Sequence, residues 1–271
     1  MRKRLLRYAM ASNGPLFRDN EAHKRAHNSA YHIYNANAVY NLVPKNACTT
    51  MRLSIAIDNG CIPDQSGINW VHHNNGLFKP SLRELLQADY TFVILRCPYA
   101  RLASCFLDQF MRPTDAVKTI LSVSGGGQGA DSITFKSFCR CLSDPGIRVA
   151  NIHWQPQRDF MVYDTFDDYF SIETFKEDSK TILKKTGMEI VDARPLSRHG
   201  LDQVELLSAS EQATDIPLSH HRVLRKAGKA CHPASLYDDE SRRLIANAYA
   251  EDIKLFDELF PGRDLFALSG V

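Results

Sequence analysis

The six residues Tyr90-Thr91-Phe92-Val93-Ile94-Leu95 form an almost unbroken apolar and β-branched run. A strand with no polar face belongs in the middle of a parallel sheet covered by helices on both sides. Ala38, Val39, Tyr40, Leu42 and Val43 read as a second buried strand, and residues 69–73 as a third, short one. Helical spacing follows each of them. Leu82, Leu85 and Leu86 mark residues 81–87, and Leu102, Phe106 and Phe110 recur at four-residue steps after Pro98. Pro98 suits a first helical turn, where its missing N–H would be unpaired anyway. Residues 132–142 read as helical, and residues 173–185 form an amphipathic helix ended by Gly187. A last helix over 239–260 carries Ile245, Tyr249, Ile253, Phe256 and Phe260 before Pro261-Gly262 stops it. Helices alternating with buried strands predict a three-layer α/β fold with a central, mainly parallel sheet flanked by helices.

The chain has 271 residues, 44% of them hydrophobic, enough to bury a full core in one domain spanning 1–271. Residues 1–37 are polar and weakly periodic and read as a peripheral segment that wraps the surface or carries a short helix. A net charge of +2 gives no address for nucleic acid. Near the N-terminus Leu5-Leu6 is broken by Arg7, so no export signal or membrane anchor is expected, and the reading is a soluble, cytoplasmic protein. Seven cysteines in such a chain are expected as reduced thiols. Gly125-Gly126-Gly127, with Gly129, is a break that serves either as a lid over a site or as a surface connection.

Between the strand at 38–43 and a helix-forming segment (Met51, Leu53, Ile55, Ala56, Ile57) lie Pro44-Lys45-Asn46-Ala47-Cys48-Thr49-Thr50. A strand, a tight turn and a helix start make a cradle for a phosphate or sulfate, because the helix N-terminus offers unpaired N–H groups and the positive end of its dipole. Lys45 adds a full charge, and Thr49 and Thr50 add hydroxyl donors. This is not a Walker A sequence, since spaced glycines and a terminal Gly-Lys-Ser/Thr are missing. Arg96 ends the strand at 90–95, where open α/β sheets collect ligands, and Ser104 follows about two helical turns on. Together they can grip one phosphate.

These pieces resemble the sulfotransferases that use 3′-phosphoadenosine 5′-phosphosulfate, and within them the branch that sulfates carbohydrates (sulfotransferase family 2 type). Val43 to Thr50 looks like that family's 5′-phosphosulfate loop, and Leu95-Arg96-Cys97-Pro98-Tyr99-Ala100-Arg101-Leu102-Ala103-Ser104 like its 3′-phosphate segment. His153-Trp154-Gln155-Pro156-Gln157 resembles a His-Trp segment of that branch, and Tyr163-Asp164 with Glu173, Thr174, Phe175 and Asp178 its next stretch. Two departures stand out. Cys97 replaces the usual aspartate, and Phe106 stands where an aromatic hydroxyl is common. The resemblance implies a P-loop-like fold with residues 38–110 as nucleotide-binding core and 111–271 as acceptor-side and C-terminal helical region.

It also implies the reaction: sulfuryl transfer to a hydroxyl of a carbohydrate or glycolipid, leaving adenosine 3′,5′-bisphosphate and needing no metal. Lys45, Asn46, Ala47, Cys48, Thr49 and Thr50 would hold the 5′ end of the donor, with Lys45 stabilising the leaving group, and Arg96 and Ser104 the 3′-phosphate. A general base is required. His72 and His73 are the first candidates, one on each face of the expected strand, and His153 is the reserve. Trp154 either packs or offers a platform to a sugar ring.

Other signals are weaker. His23 and His27 read as an exposed polar helix, and Cys139 with Cys141 lacks a second pair for zinc. Lys184, Lys185, Arg222, Arg225, Lys226 and Lys229 read as solvated faces, the last four alternatively bordering an acidic glycan or closing over the nucleotide. The competing functions are an ATP-dependent P-loop phosphotransferase and a non-catalytic nucleotide-binding protein of the same fold.

Overall fold

The computed structural model describes residues 4–9, 16–123, 129–196, 200–201 and 203–269, without the side chains of Arg18, His72 and Asn75. The glycine run at 125–127 therefore lies outside the described residues. The chain divides into two compact units, residues 1–95 with 157–197 and residues 96–156 with 198–271.

The chain opens with α1 (Glu21–Asn28), β1 (Ala30–Ile33) and β2 (Ala38–Asn41), then α2 (Cys48–Asp58), α3 (Ile68–Asn74), α4 (Leu82–Gln87) and β3 (Tyr90–Leu95). Into the second unit run α5 (Pro98–Gln109), α6 (Asp115–Val123), α7 (Phe135–Cys141) and α8 (Pro145–Val149). β4 (Asp168–Ser171) and α9 (Phe175–Thr186) return to the first. The second resumes with β5 (Glu205–Leu206), α10 (Leu218–Lys226), β6 (Lys229–Ala230), α11 (Asp239–Ala248), α12 (Ala250–Leu259) and α13 (Leu265–Ser269).

The first unit is built on a four-stranded sheet ordered β1-β2-β3-β4. β2 pairs in parallel with β3 (Ala38 opposite Tyr90), and β3 with β4 (Phe92 opposite Asp168). β1 joins the edge antiparallel, Ala30 opposite Asn41. Every residue of β3 is buried, which is why its sequence carries no polar face. Tyr40, Phe92, Ile94 and Phe170 pack with Met51, Leu53, Ile55 and Ala56 of α2 in one core. The central, mainly parallel sheet flanked by helices is the expected α/β architecture.

Several expectations are corrected. Residues 69–73 are not a strand but the body of α3. Only Val71 among its described side chains is buried, and Trp70 packs on Phe78 with ring centroids 6.1 Å apart; a helix meets this one-sided burial where a strand would split it. The segment before residue 38 is more than a surface wrap, because β1 is an integral edge strand. Arg4 is also inserted there: its Nη1 lies 2.6 Å from Asp167 Oδ2, while Nε and Nη2 donate to the carbonyls of Ala88 and Asp89. His23, expected on an exposed helix, is 5% exposed and lies 4.1 Å from the Phe17 ring and 5.4 Å from His27. Burial, with His27 and Lys79 nearby, lowers its pKa to about 4.

In the second unit the expected 239–260 helix is two helices, parted at Tyr249. The Tyr249 hydroxyl donates to the Trp154 carbonyl at 2.6 Å, an anchor inside the protein that an uninterrupted surface helix would not supply. The seven cysteines are free thiols. Among the described residues no helix is long and apolar enough to cross a membrane.

Candidate functional site

Pro44 to Ala47 make two tight bends without any glycine. The Asn46 N–H donates to the Val43 carbonyl at 3.2 Å, with Pro44 second and Lys45 third at φ +73. This is the pattern of a type II turn, whose third position normally goes to Gly or Asn. Ala47 then takes φ +54 as the residue before α2. Residues held in this region persist only when their surroundings over-determine them, and such strain concentrates at ligand sites. Left-handed residues interleaved with ordinary ones are the backbone pattern of an anion-binding nest.

The helix behind the nest is prepared for negative charge. No side chain caps α2, and its first turn carries no acidic residue. The N–H groups of Cys48, Thr49 and Thr50 precede the first helical bond, from Met51 N to Ala47 O at 3.0 Å. The Cys48 thiol donates to the Val43 carbonyl at 3.0 Å, tying the first residue of α2 to the start of the turn. Lys45, Ala47, Cys48 and Thr49 are half-buried. Thr50 is buried, and its Oγ1 accepts from Ala193 N at 3.3 Å.

Asn46 is the buried member of the loop. It is fully buried, with its N–H committed to Val43 and its Nδ2 donating to Ile94 O (2.9 Å) and Gln157 Oε1 (2.7 Å). It anchors the loop to β3. Gln157 is itself 2% exposed.

In the second unit, Arg96 follows β3 directly and is half-buried, and Ser104 lies half-buried on α5, whose other faces are mostly covered. Cys97 takes the residue position before α5, and its sulfur accepts the Leu265 N–H at 3.2 Å, so α13 braces the turn where an aspartate is usual. Phe106 is fully buried among Phe110, Phe135, Phe138 and His221, an apolar setting with no call for a hydroxyl.

His153 lines a groove of about 420 Å³ together with Gln109, Thr114, Asp115, Asn151 and Ile152. Asn151 Oδ1 accepts both the His153 backbone N–H (3.0 Å) and its Nδ1 (2.9 Å). An amide oxygen only accepts, so His153 donates to it from a protonated Nδ1. Trp154 is a different case. Its side chain is fully buried against Phe110 and Phe138, and Nε1 donates to Ile147 O at 2.8 Å. This is the packing alternative, with no face of the ring reaching solvent.

On α3, His73 is exposed and the His72 side chain lies outside the described residues. Consecutive helical positions stand about 100° apart, so the opposite-face argument made for a strand no longer applies. The basic group near the C-terminus is partly spoken for. Arg222 pairs with Asp131 at 2.5 Å, Arg225 donates to Gly200 O, and Lys229 lies 3.5 Å from Glu205.

Two residues named in the sequence only as parts of motifs prove to be supports. Arg101, 1% exposed, donates from Nη1 to Gln155 O at 2.8 Å and from Nη2 to Ile152 O at 3.3 Å, bracketing His153 and Trp154. Asp178 Oδ2 accepts from Ser171 N (3.1 Å) and Thr174 Oγ1 (2.9 Å), closing the end of β4. A buried arginine inside an apolar helix is the one signal that marks Arg101 in advance.

Comparison with curated proteins and with solved structures returns no match. A glycine-free anion nest leading into an uncapped helix is nonetheless accompanied by a match of the sulfotransferase family over residues 34–260, most of the chain. The chain belongs to the sulfotransferase family.

Proposed function

We propose that this chain transfers a sulfuryl group from 3′-phosphoadenosine 5′-phosphosulfate to a hydroxyl of a carbohydrate or glycolipid, within a single domain. The observation that carries the donor assignment is the 44–50 loop, where Lys45 and Ala47 at positive φ lead into an α2 N-terminus free of caps and acids. The N–H groups of Cys48, Thr49 and Thr50 and the Thr49 hydroxyl receive the 5′-phosphate, and Lys45 faces the bridging oxygen. Arg96 and Ser104 take the 3′-phosphate. In the transfer the bond between sulfur and the bridging oxygen breaks, and a bond from the acceptor oxygen to sulfur forms. The electron pair stays on the departing adenosine 3′,5′-bisphosphate, where the Lys45 charge stabilises it. The acceptor's proton passes to a histidine, His72 or His73 by the family resemblance. His153 supports the acceptor side: it lines a groove together with the amide, hydroxyl and carboxylate groups that bind sugars, and an imidazole placed there can take up a hydroxyl proton.

Calorimetric titration tests the donor. Tight binding of adenosine 3′,5′-bisphosphate in the presence of a chelator supports the assignment, whereas binding only of ATP with magnesium would favour a phosphotransferase. A radiolabelled donor offered with a broad glycan panel tests the acceptor class. Separate His72→Ala, His73→Ala and His153→Ala variants locate the base, which is the one whose loss removes turnover while leaving nucleotide affinity intact.

A further inference from the structure

The anion loop contains a structural question that its own residues do not answer. Lys45 and Ala47 both sit at positive φ, a conformation that steric clash disfavours for an L-residue, and neither is a glycine. Something outside the loop must hold it. Between these two residues lies Asn46, fully buried, whose carboxamide reaches away from the loop. One of its two amide protons goes to Ile94 O at the end of β3, at 2.9 Å; the other goes to Gln157 Oε1 at 2.7 Å. Because Ile94 offers a carbonyl, the group facing it is the Asn46 nitrogen, and the Gln157 atom facing that same nitrogen is its oxygen.

We infer that Gln157 is a positioning residue for sulfuryl transfer: its Oε1 fixes the Asn46 carboxamide and thereby holds Lys45 and Ala47 in the conformation that forms the anion nest. The bond to Ile94 alone sets one direction and leaves the carboxamide free to swing about it. The second bond removes that freedom. With both donors engaged, rotating Asn46 to relax either neighbour breaks a buried hydrogen bond. Gln157 belongs to the His153-to-Gln157 stretch of the family motif, yet its side chain is buried and turned to Asn46. Its effect on chemistry runs through Asn46. The inference rests on the donor reading above for its functional consequence, and on the loop geometry alone for its structural one.

The test uses Gln157→Met, which keeps the volume and removes the acceptor, and Gln157→Glu, which keeps an acceptor oxygen. Two readouts are taken on the full chain: calorimetric affinity for adenosine 3′,5′-bisphosphate, and amide exchange of peptides covering residues 43–52 and, as internal control, 90–95. Gln157→Met is expected to weaken nucleotide binding about tenfold, the equivalent of about 1.4 kcal/mol. It is expected to speed exchange in 43–52 while leaving 90–95 protected. Gln157→Glu is expected to recover most of both. Loss of protection in both peptides, or unchanged affinity with unchanged 43–52 exchange in a folded Gln157→Met, overturns the positioning role. Should Gln157→Glu fail to fold, Asn46→Ser, which lacks the paired donors, must reproduce the Gln157→Met pattern or the inference fails. If wild-type protein binds no adenosine 3′,5′-bisphosphate, the donor reading fails by itself, and the exchange pattern still decides whether Gln157 holds the loop.

Discussion

Ala47→Gly tests the loop geometry through stability alone. Ala47 precedes α2 at φ +54, where an L-residue carries about 1–2 kcal/mol of steric penalty that glycine does not. Against this, glycine enlarges the unfolded ensemble by about 0.5–1 kcal/mol relative to alanine. The difference favours the variant by roughly 0.5–1 kcal/mol, and with about 2–4 °C of Tm per kcal/mol for a chain of this size the expected rise is about 1–4 °C. Ala56→Gly supplies the opposing control. Ala56 is fully buried within the same helix, so the change there costs about 1 kcal/mol in helix propensity and about 0.8 kcal/mol in the lost methyl. Its Tm should fall by about 4–7 °C. Thermal scans by circular dichroism read both, and urea titrations check that the m-value is unaltered. If Ala47→Gly lowers Tm as Ala56→Gly does, the residue is not held at positive φ, and the nest argument loses its geometric basis.

Lys45→Ala should reduce kcat about 10²–10³-fold with a smaller change in donor KM, measured by transfer of labelled sulfate, because the charge is needed most when the leaving oxygen becomes negative. Arg4→Met should lower stability by about 3 kcal/mol, since it removes the charge partner of Asp167 and leaves two carbonyls just before β3 without their donor; an unchanged urea midpoint would show the N-terminal segment to be peripheral after all. Burial holds the pKa of His221, like that of His23, down at about 4. Between that value and the ordinary 6.5 the unfolded chain binds more protons, so stability is full above about 6.5 and is lost as pH falls toward about 4. His221→Phe, which keeps an aromatic ring edge-on to Phe106, should flatten this slope, and a pH–stability curve parallel to wild type would remove His221 from the account.

The parts of the fold that were legible in advance are those whose cause is local. Tyr90 to Leu95 was readable as a central strand because both its faces are apolar, and β3 has those bounds. Pro98 opens α5, and Gly187 ends α9 at φ +74, since one residue's backbone preference decides each. Residues 69–73 could not be assigned this way. Two apolar residues among asparagine and histidines satisfy either period, and only the packing of Trp70 and Val71 chooses the helix. β1 was hidden for a related reason: it contains His32, which is 7% exposed in the structure. At the break, Tyr249 bonds to Trp154, 95 residues away. No window of sequence contains that bond.

The candidate site divides along the same line. Pro44 followed by Lys45 already has the form of a turn, so the bend was readable, but its positive φ at a lysine was not, because glycine is the residue that ordinarily announces it. A motif met as a string runs ligands and their supports together, and residue chemistry does not separate them. Asparagine next to the lysine looks like a phosphate donor, and tryptophan next to the histidine looks like a sugar platform. Burial sorts them: Lys45, Thr49 and His153 are only half-buried and stay accessible to a ligand, whereas Asn46 and Trp154 expose nothing. The buried pair then explains the accessible residues. Asn46 sets the backbone that aims Lys45, and the Trp154 backbone, held by Tyr249 on its own carbonyl and bracketed by Arg101, fixes the position from which His153 projects. The conspicuous residues of each motif therefore act at one remove, and a substitution at either should disturb the neighbour it holds before it disturbs any ligand.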